Sequence, residues 1–127
     1  MPSSRTKLGN AGEAIARRHL ETLGYTLREA NYRCRWGEVD LVMERDGELV
    51  FVEVRTKRGG AFGTPEESVT AAKRRRLTAT AYHYLQEHDL DVPFRIDLVA
   101  IAMNLRGNVE RVTHLENVVT GEDAAAE

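Results

Sequence analysis

Asp40 and Glu53 stand on either side of Asp46-Gly47, a dipeptide that strongly signals a two-residue hairpin turn. Both flanking stretches alternate as strands do. Over residues 38–44, Val39, Leu41 and Met43 fall on one side and Glu38, Asp40 and Val42 on the other. Over 49–56, Val50, Val52 and Val54 share one face, and Leu49, Phe51, Glu53 and Arg55 share the other. With Arg45 facing Glu48 across the turn, Asp40 lies directly opposite Glu53 and Glu38 opposite Arg55. Opposed side chains have Cβ atoms about 4.5–5.5 Å apart, so two carboxylates there repel. Val42, Leu49 and Phe51 make the same face apolar, which raises the cost. A shared proton or a bound cation removes it.

A divalent cation suits this arrangement. Magnesium takes oxygen ligands and commonly uses one or two carboxylates together with substrate phosphates. Asp40 and Glu53 supply the carboxylates, and the backbone carbonyl of Val54 is a further candidate ligand. Magnesium or manganese held there polarises a phosphodiester and activates water. The plainer reading is an acid pair neutralised by salt bridges to Arg55 or Arg95.

Other residues have two readings each. Lys73 shares a helical face with Val69 and Leu77. It either snorkels from the core or points at the carboxylates and grips phosphate. Arg33, Arg35 and Trp36 precede the first acidic stretch. There Trp36 is either a hydrophobic plug or a surface on which a base stacks between basic residues. Lys57, Arg58, Arg74 and Arg75 complete a candidate nucleic-acid-binding set, while a charge run such as residues 73–76 is also a common solvated helix face. Glu13 follows Gly12, which lets its helix approach another backbone closely; the plainer role for Glu13 is a first-turn acid that complements the helix dipole. Cys34, the one cysteine, has no partner pair to make it a nucleophile, and the four histidines show no zinc spacing. His83 and His88 are expected on a helix surface. Residues 59–63 lack the Gly-Lys-Ser/Thr of a P-loop and form a loop beside the site.

The elements that carry these residues follow from periodicity. Leu8 to Leu23 has helical spacing, with Gly24 as its C-terminal cap. Tyr25 to Arg33 is a strand, and the Asp46-Gly47 hairpin supplies two more. Lys57 to Thr64 is a glycine-containing loop. A second helix starts at Pro65-Glu66-Glu67 and runs to His88. Pro93 to Ala102 alternates as a strand, and Asn108 to Leu115 adds an edge strand. The order α-β-β-β-α-β-β defines an α/β fold with a mixed central sheet flanked by helices, not a doubly wound one.

Charge is unevenly spread. Residues 1–86 hold 15 Lys/Arg against 11 Asp/Glu, and residues 87–127 hold 3 against 9. If several acids of the first part hold metal, the remaining surface is basic, as a phosphate-binding face is. A chain of 127 residues, 42% hydrophobic and 30% charged, fits one soluble domain over 1–119 with a disordered acidic tail at 120–127. With no apolar membrane span, no apolar signal core and a single cysteine, the expected location is the cytoplasm.

Gly37-Glu38-Val39-Asp40-Leu41-Val42 and Val50-Phe51-Val52-Glu53-Val54-Arg55 resemble the two core motifs of the PD-(D/E)xK, restriction-endonuclease-like nucleases. The wider pattern resembles the YraN-like bacterial proteins, a family of unassigned function in that superfamily. It comprises Gly9-Asn10-Ala11-Gly12-Glu13-Ala14, Gly24-Tyr25, Asn31-Tyr32-Arg33, Phe62-Gly63-Thr64-Pro65, Lys73 with Leu77, and Arg95-Ile96-Asp97-Leu98-Val99, and spans roughly residues 8–102.

The resemblance implies a restriction-endonuclease-like α-β-β-β-α-β core, similar to that of archaeal Holliday-junction resolvases. It implies a magnesium- or manganese-dependent endonuclease acting on DNA, with branched DNA as a candidate substrate and a homodimer as a candidate assembly. Asp40 is then the shared metal ligand, Glu53 the second acid, and Glu13 the first-helix acid that completes many such sites. Arg55 stands where the superfamily usually has lysine. Arginine holds phosphate bidentately and stabilises charge but is not a general base. Lys57, two residues on, is the candidate substitute. Two further readings stay open: a nucleic-acid-binding module with weak or no cleavage activity, and an interaction protein with a salt-bridged sheet face.

Overall fold

The computed structural model describes the backbone of residues 4–59 and 69–119, with side chains from residue 11 onward. The order is α1 (Ser4–Thr22), β1 (Thr26–Cys34), β2 (Gly37–Arg45), β3 (Glu48–Arg58), α2 (Ala71–Glu87), β4 (Phe94–Met103) and β5 (Val109–Leu115). The strands form one five-stranded sheet in chain order. Only β3 and β4 run parallel, and α2 provides their crossover. This is the expected element order and a mixed α/β fold. The acidic tail expected at 120–127 and the helix start at Pro65-Glu66-Glu67 lie outside the described residues, as do residues 60–63 of the expected loop.

Asp46 and Gly47 have φ of 53° and 79°, the left-handed pair that a type I′ turn requires. The turn sets the register from Arg45 opposite Glu48 to Leu41 opposite Val52. Period two then divides the side chains between two cores. Leu41, Met43, Val50, Val52, Val99 and Ile101 pack with Ala16 and Leu20 of α1. Val42, Leu49, Phe51, Ile96 and Leu98 pack with Leu77, Ala81 and Tyr84 of α2. The sheet therefore lies between the helices.

The first helix is capped by Gly24 as expected, whereas the helix starts depart from expectation in informative ways. α1 closes as a Schellman turn: Gly24 has φ +94°, Gly24 N–H donates to the Glu21 carbonyl at 3.1 Å and Tyr25 N–H to the Leu20 carbonyl at 3.1 Å. It begins at Ser4 rather than Leu8. α2 begins at Ala71 rather than Pro65, because Thr70 caps it by accepting from the Lys73 N–H, a contact worth about 1 kcal/mol. β3 runs on to Arg58 through residues expected in a loop, since each residue from Leu49 to Arg58 has a partner on β4.

Candidate active site

The β2–β3 ladder stops at Leu41 and Val52, one step short of Asp40 and Glu53. β3 continues alongside β4, whereas the first half of β2 stays with β1. The two central strands part at the carboxylates. There the Val54 N–H donates to Asp40 Oδ2 at 2.7 Å instead of to a β2 carbonyl. Asn31, opposite Asp40 between the pairs Ala30↔Leu41 and Tyr32↔Val39, has φ 54°. Alternation breaks at this point. Val39 packs with Tyr32 on the α2 side while Leu41 packs on the α1 side, although strict period two assigns them one face. Glu38 likewise pairs with Arg33 of β1 at 2.8 Å rather than facing Arg55.

Glu53 is buried, at 6% exposure. Its Oε2 is ion-paired with Lys73 Nζ and lies 3.2 Å from Arg55 Nη2. Burial pushes both acids toward protonation. Asp40 is pushed up to about 8, by desolvation first and then by the charge of Glu53. For Glu53, Arg55 and the hydrogen bond from Asp40 oppose the rise. The two carboxyls therefore favour sharing a proton, and they titrate as a unit. Removing the hairpin's repulsion by a shared proton is what opposed acids require.

Glu13 joins them from α1. It stands mid-helix, nine residues beyond Ser4, so it is not a first-turn acid complementing the dipole. Its carboxyl is raised by desolvation and by the charges of Glu38 and Glu53, against a hydrogen bond with Asn31. Gly12 allows the approach: a Cβ there collides with Thr56 Oγ1 of β3, so the close neighbour is a side chain rather than a backbone. Lys73 resolves toward the carboxylates and not as a snorkelling core residue.

Among the described residues no group of three or more His, Cys, Asp or Glu side chains closes a metal cage. The donor chemistry nonetheless suits magnesium or manganese: two carboxylate side chains, Glu53 buried and Asp40 half-buried, with room in the coordination rule for waters and phosphate oxygens. Arg55 Nε is buried without a hydrogen-bond partner among the described residues. It leaves a donor for an anionic oxygen beside the acids.

The basic candidates divide. Arg33, Arg35, Lys57, Arg58 and Arg75 are exposed. Arg74 is half-buried and its guanidinium donates to the Val69 carbonyl at 2.8 Å, which anchors the start of α2. Trp36 is 47% exposed, so it is not a hydrophobic plug. His88 is exposed as expected, but His83 is half-buried, with Nδ1 2.8 Å from the Tyr32 hydroxyl.

A second polar cluster escapes sequence reasoning. Fully buried Asp97 receives Arg95 Nε at 3.0 Å, His114 Nε2 at 2.7 Å and the Asn117 N–H at 2.9 Å. Arg95 also reaches Glu48 at 2.8 Å and the Tyr25 hydroxyl. Arg95 therefore serves this cluster and not Glu53. The one available signal was the Arg95–Asp97 alternation, since the partners come from the turn before β1 (Tyr25), from β3 (Glu48), from β5 (His114) and from the segment after it (Asn117).

The fold and site define a mixed α/β protein with a partly buried carboxylate pair where its central strands part. Residues 12–101 match the uncharacterised protein family UPF0102, and the chain belongs to that family. A UPF0102 protein of Roseiflexus castenholzii is 46% identical over 121 residues, covering 94% of this chain and 98% of its own. One from Chloroflexus aurantiacus is 42% identical over 125 residues, covering 97% and 100%. One from Nitrosomonas europaea is 45% identical over 108 residues, covering 85% and 92%. No described helix is long and apolar enough to cross a membrane.

Proposed function

We propose that this protein is a divalent-metal-dependent endonuclease with a restriction-endonuclease-like core, acting on DNA in the cytoplasm, with branched DNA as the substrate to test first. One observation carries the reading: half-buried Asp40 and buried Glu53 pair at the parting of β2 and β3, backed by Lys73 and approached by Glu13. Asp40, Glu53 and the Val54 carbonyl would hold magnesium or manganese, which polarises a phosphodiester and makes water a better nucleophile. Lys73 fixes the Glu53 carboxylate. Arg55 sets a guanidinium where a phosphate oxygen approaches, in place of a general base. Glu13 adds a third acid from α1 that takes or gives a proton according to its raised affinity.

A second reading has its own observation. Glu53 is already neutralised by Lys73 and Arg55, and Asp40 holds its proton, so the cluster is self-sufficient without an ion. That favours a nucleic-acid-binding module or a salt-bridged interaction protein. Cleavage and binding assays on hairpin, flap and four-way DNA, in magnesium, manganese and chelator, separate the three. Metal-dependent cutting that Asp40→Asn abolishes supports the nuclease. Binding without cutting leaves the module, and neither leaves the interaction protein. Sedimentation with and without DNA tests the homodimer that cutting two strands calls for.

A further inference from the structure

Trp36, the chain's single tryptophan, projects from the β1–β2 turn at 47% exposure. Arg35 lies over its ring, with the guanidinium carbon 4.7 Å from the centroid. The turn is held against α2. A Cβ on Gly37 would lie 3.4 Å from Thr80 Oγ1 and 4.0 Å from Arg76 Cβ. Those are ordinary van der Waals distances, so it is the backbone of Gly37, at φ +145°, that favours glycine.

α2 thereby links two places. Lys73 meets Glu53, and Arg76, three residues on, shares its helical face and meets the Trp36 turn. The rise between them is about 4.5 Å. Along β2, Trp36 stands four residues before Asp40, on the order of 13 Å. A cationic strip of Lys73, Arg76 and Arg35 therefore leads from the carboxylate pair to an exposed indole. Phosphate-binding cations beside an aromatic face are the elements of a stacking platform.

We propose that Trp36 and Arg35 form a stacking site for an unpaired DNA base a few nucleotides from the carboxylate pair. The substrate class is DNA with a single-stranded segment next to the cut: a flap, fork or loop. In a blunt duplex each base face is covered by its neighbours, so only an unpaired or terminal base offers an indole a free π-face. The proposal deepens the endonuclease reading and rests on it for the choice of DNA.

The test uses the fluorescence of Trp36 in the full chain, with chelator present so that nothing is cut. The probes are a thymidine 12-mer, a uridine 12-mer and a dumbbell without unpaired bases, a duplex whose two ends are closed by non-nucleotide ethylene-glycol linkers. The thymidine oligomer is expected to quench the tryptophan and the dumbbell to leave it unchanged. Trp36→Ala should weaken thymidine-oligomer binding roughly 5- to 100-fold, and Trp36→Phe should restore most of it, with dumbbell affinity the same in all three proteins. Equal binding of the thymidine oligomer by Trp36→Ala and the parent overturns the stacking site. Preference for the uridine oligomer overturns the assignment to DNA. Asp40→Asn separates the two proposals: quenching intact with no metal-dependent cutting by the parent sinks the nuclease reading alone. Cutting that Asp40→Asn abolishes, with no quenching in the parent, sinks the stacking site alone.

Discussion

The Val54 N–H donates to Asp40 Oδ2 at 2.7 Å, taking the place of the backbone bond that would continue the β2–β3 ladder. The side chain thus ends the ladder and leaves the other carboxyl oxygen of Asp40 for Glu53. Two acids brought together this way bind a proton more tightly folded than unfolded.

Stability of the metal-free protein should accordingly fall as pH rises. Asp40 moves from 3.8 in the unfolded chain to about 8 in the fold. For a raised pKa the folded state binds the extra proton, so its stabilisation is full below the unfolded value and is lost as pH rises through the folded one. The melting temperature should drop between pH 5 and pH 8.5 in chelator. Asp40→Asn should flatten that slope and leave the variant the more stable of the two at pH 8.5. Parallel pH profiles for parent and variant would show that the pair does not share a proton.

Divalent metal should act in the opposite sense at high pH. A ligand that binds only the folded state stabilises it by mass action, and deprotonated carboxylates bind it best. Manganese at millimolar concentration should raise the parent's melting temperature at pH 8 more than at pH 5.5, with little effect on Asp40→Asn or Glu53→Gln. Because phosphate oxygens complete the shell of such ions, the comparison should be repeated with DNA bound. An identical metal response in all three proteins removes the opposed-carboxylate site.

How much of this was legible in the sequence depends on the range of the cause. The hairpin register was readable because Asp46-Gly47 and period two are local, and they place Asp40 opposite Glu53, one step beyond the last ladder pair, Leu41 and Val52. The parting of the strands was not, because it depends on β4, about 40 residues later, keeping β3 while β2 stays with β1. Of the two readings of Glu13, the first-turn acid fails because α1 extends back to Ser4, a start that the sequence marks poorly when no cap signal is strong. The Asp97 cluster was invisible for the same reason as the strand parting: Tyr25, Glu48, Arg95 and His114 meet only once the sheet and α1 have assembled.

The run Lys73-Arg74-Arg75-Arg76 looks uniform in sequence, but its members should behave differently. Arg75 is exposed, whereas Arg74 holds the Val69 carbonyl. Arg75→Ala should weaken nucleic-acid binding to all sequences alike and lower the slope of log affinity against log salt by about 0.7–0.9, one phosphate contact. Arg74→Ala should lower the unfolding free energy by about 1–3 kcal/mol, for a charged hydrogen bond lost at a half-buried site, and with it the urea midpoint. Salt titrations and urea unfolding on both variants check the division. If both change the salt slope and neither changes the midpoint, Arg74 is a phosphate ligand after all.

Asp97 should dominate acid stability. Burial alone raises a carboxyl, yet hydrogen bonds from His114, Arg95 and the Asn117 N–H, with the charge of Arg95, hold it below its ordinary 3.8. For a depressed pKa the stabilisation is present above the unfolded value and is lost as pH falls through the folded one. The network should therefore fail only below about pH 4, well apart from the Asp40 slope at higher pH. Asp97→Asn leaves Arg95 facing a neutral group inside the fold. Removing one partner of a buried pair costs about 3–5 kcal/mol. Arg95 keeps Glu48 at 2.8 Å, which places the expected loss near the lower end. Glu48→Gln is the control: its side chain is 34% exposed, and screening by water limits such a pair to about 0–1 kcal/mol. Urea unfolding at pH 7 should show the large loss for Asp97→Asn and the small one for Glu48→Gln. The acid transition of the parent below about pH 4 should be missing from Asp97→Asn. A cost below 1 kcal/mol at Asp97 would mean that this buried cluster is not a fastening of β4 to β5, and its acid and histidine would then have to be weighed as a second chemical site.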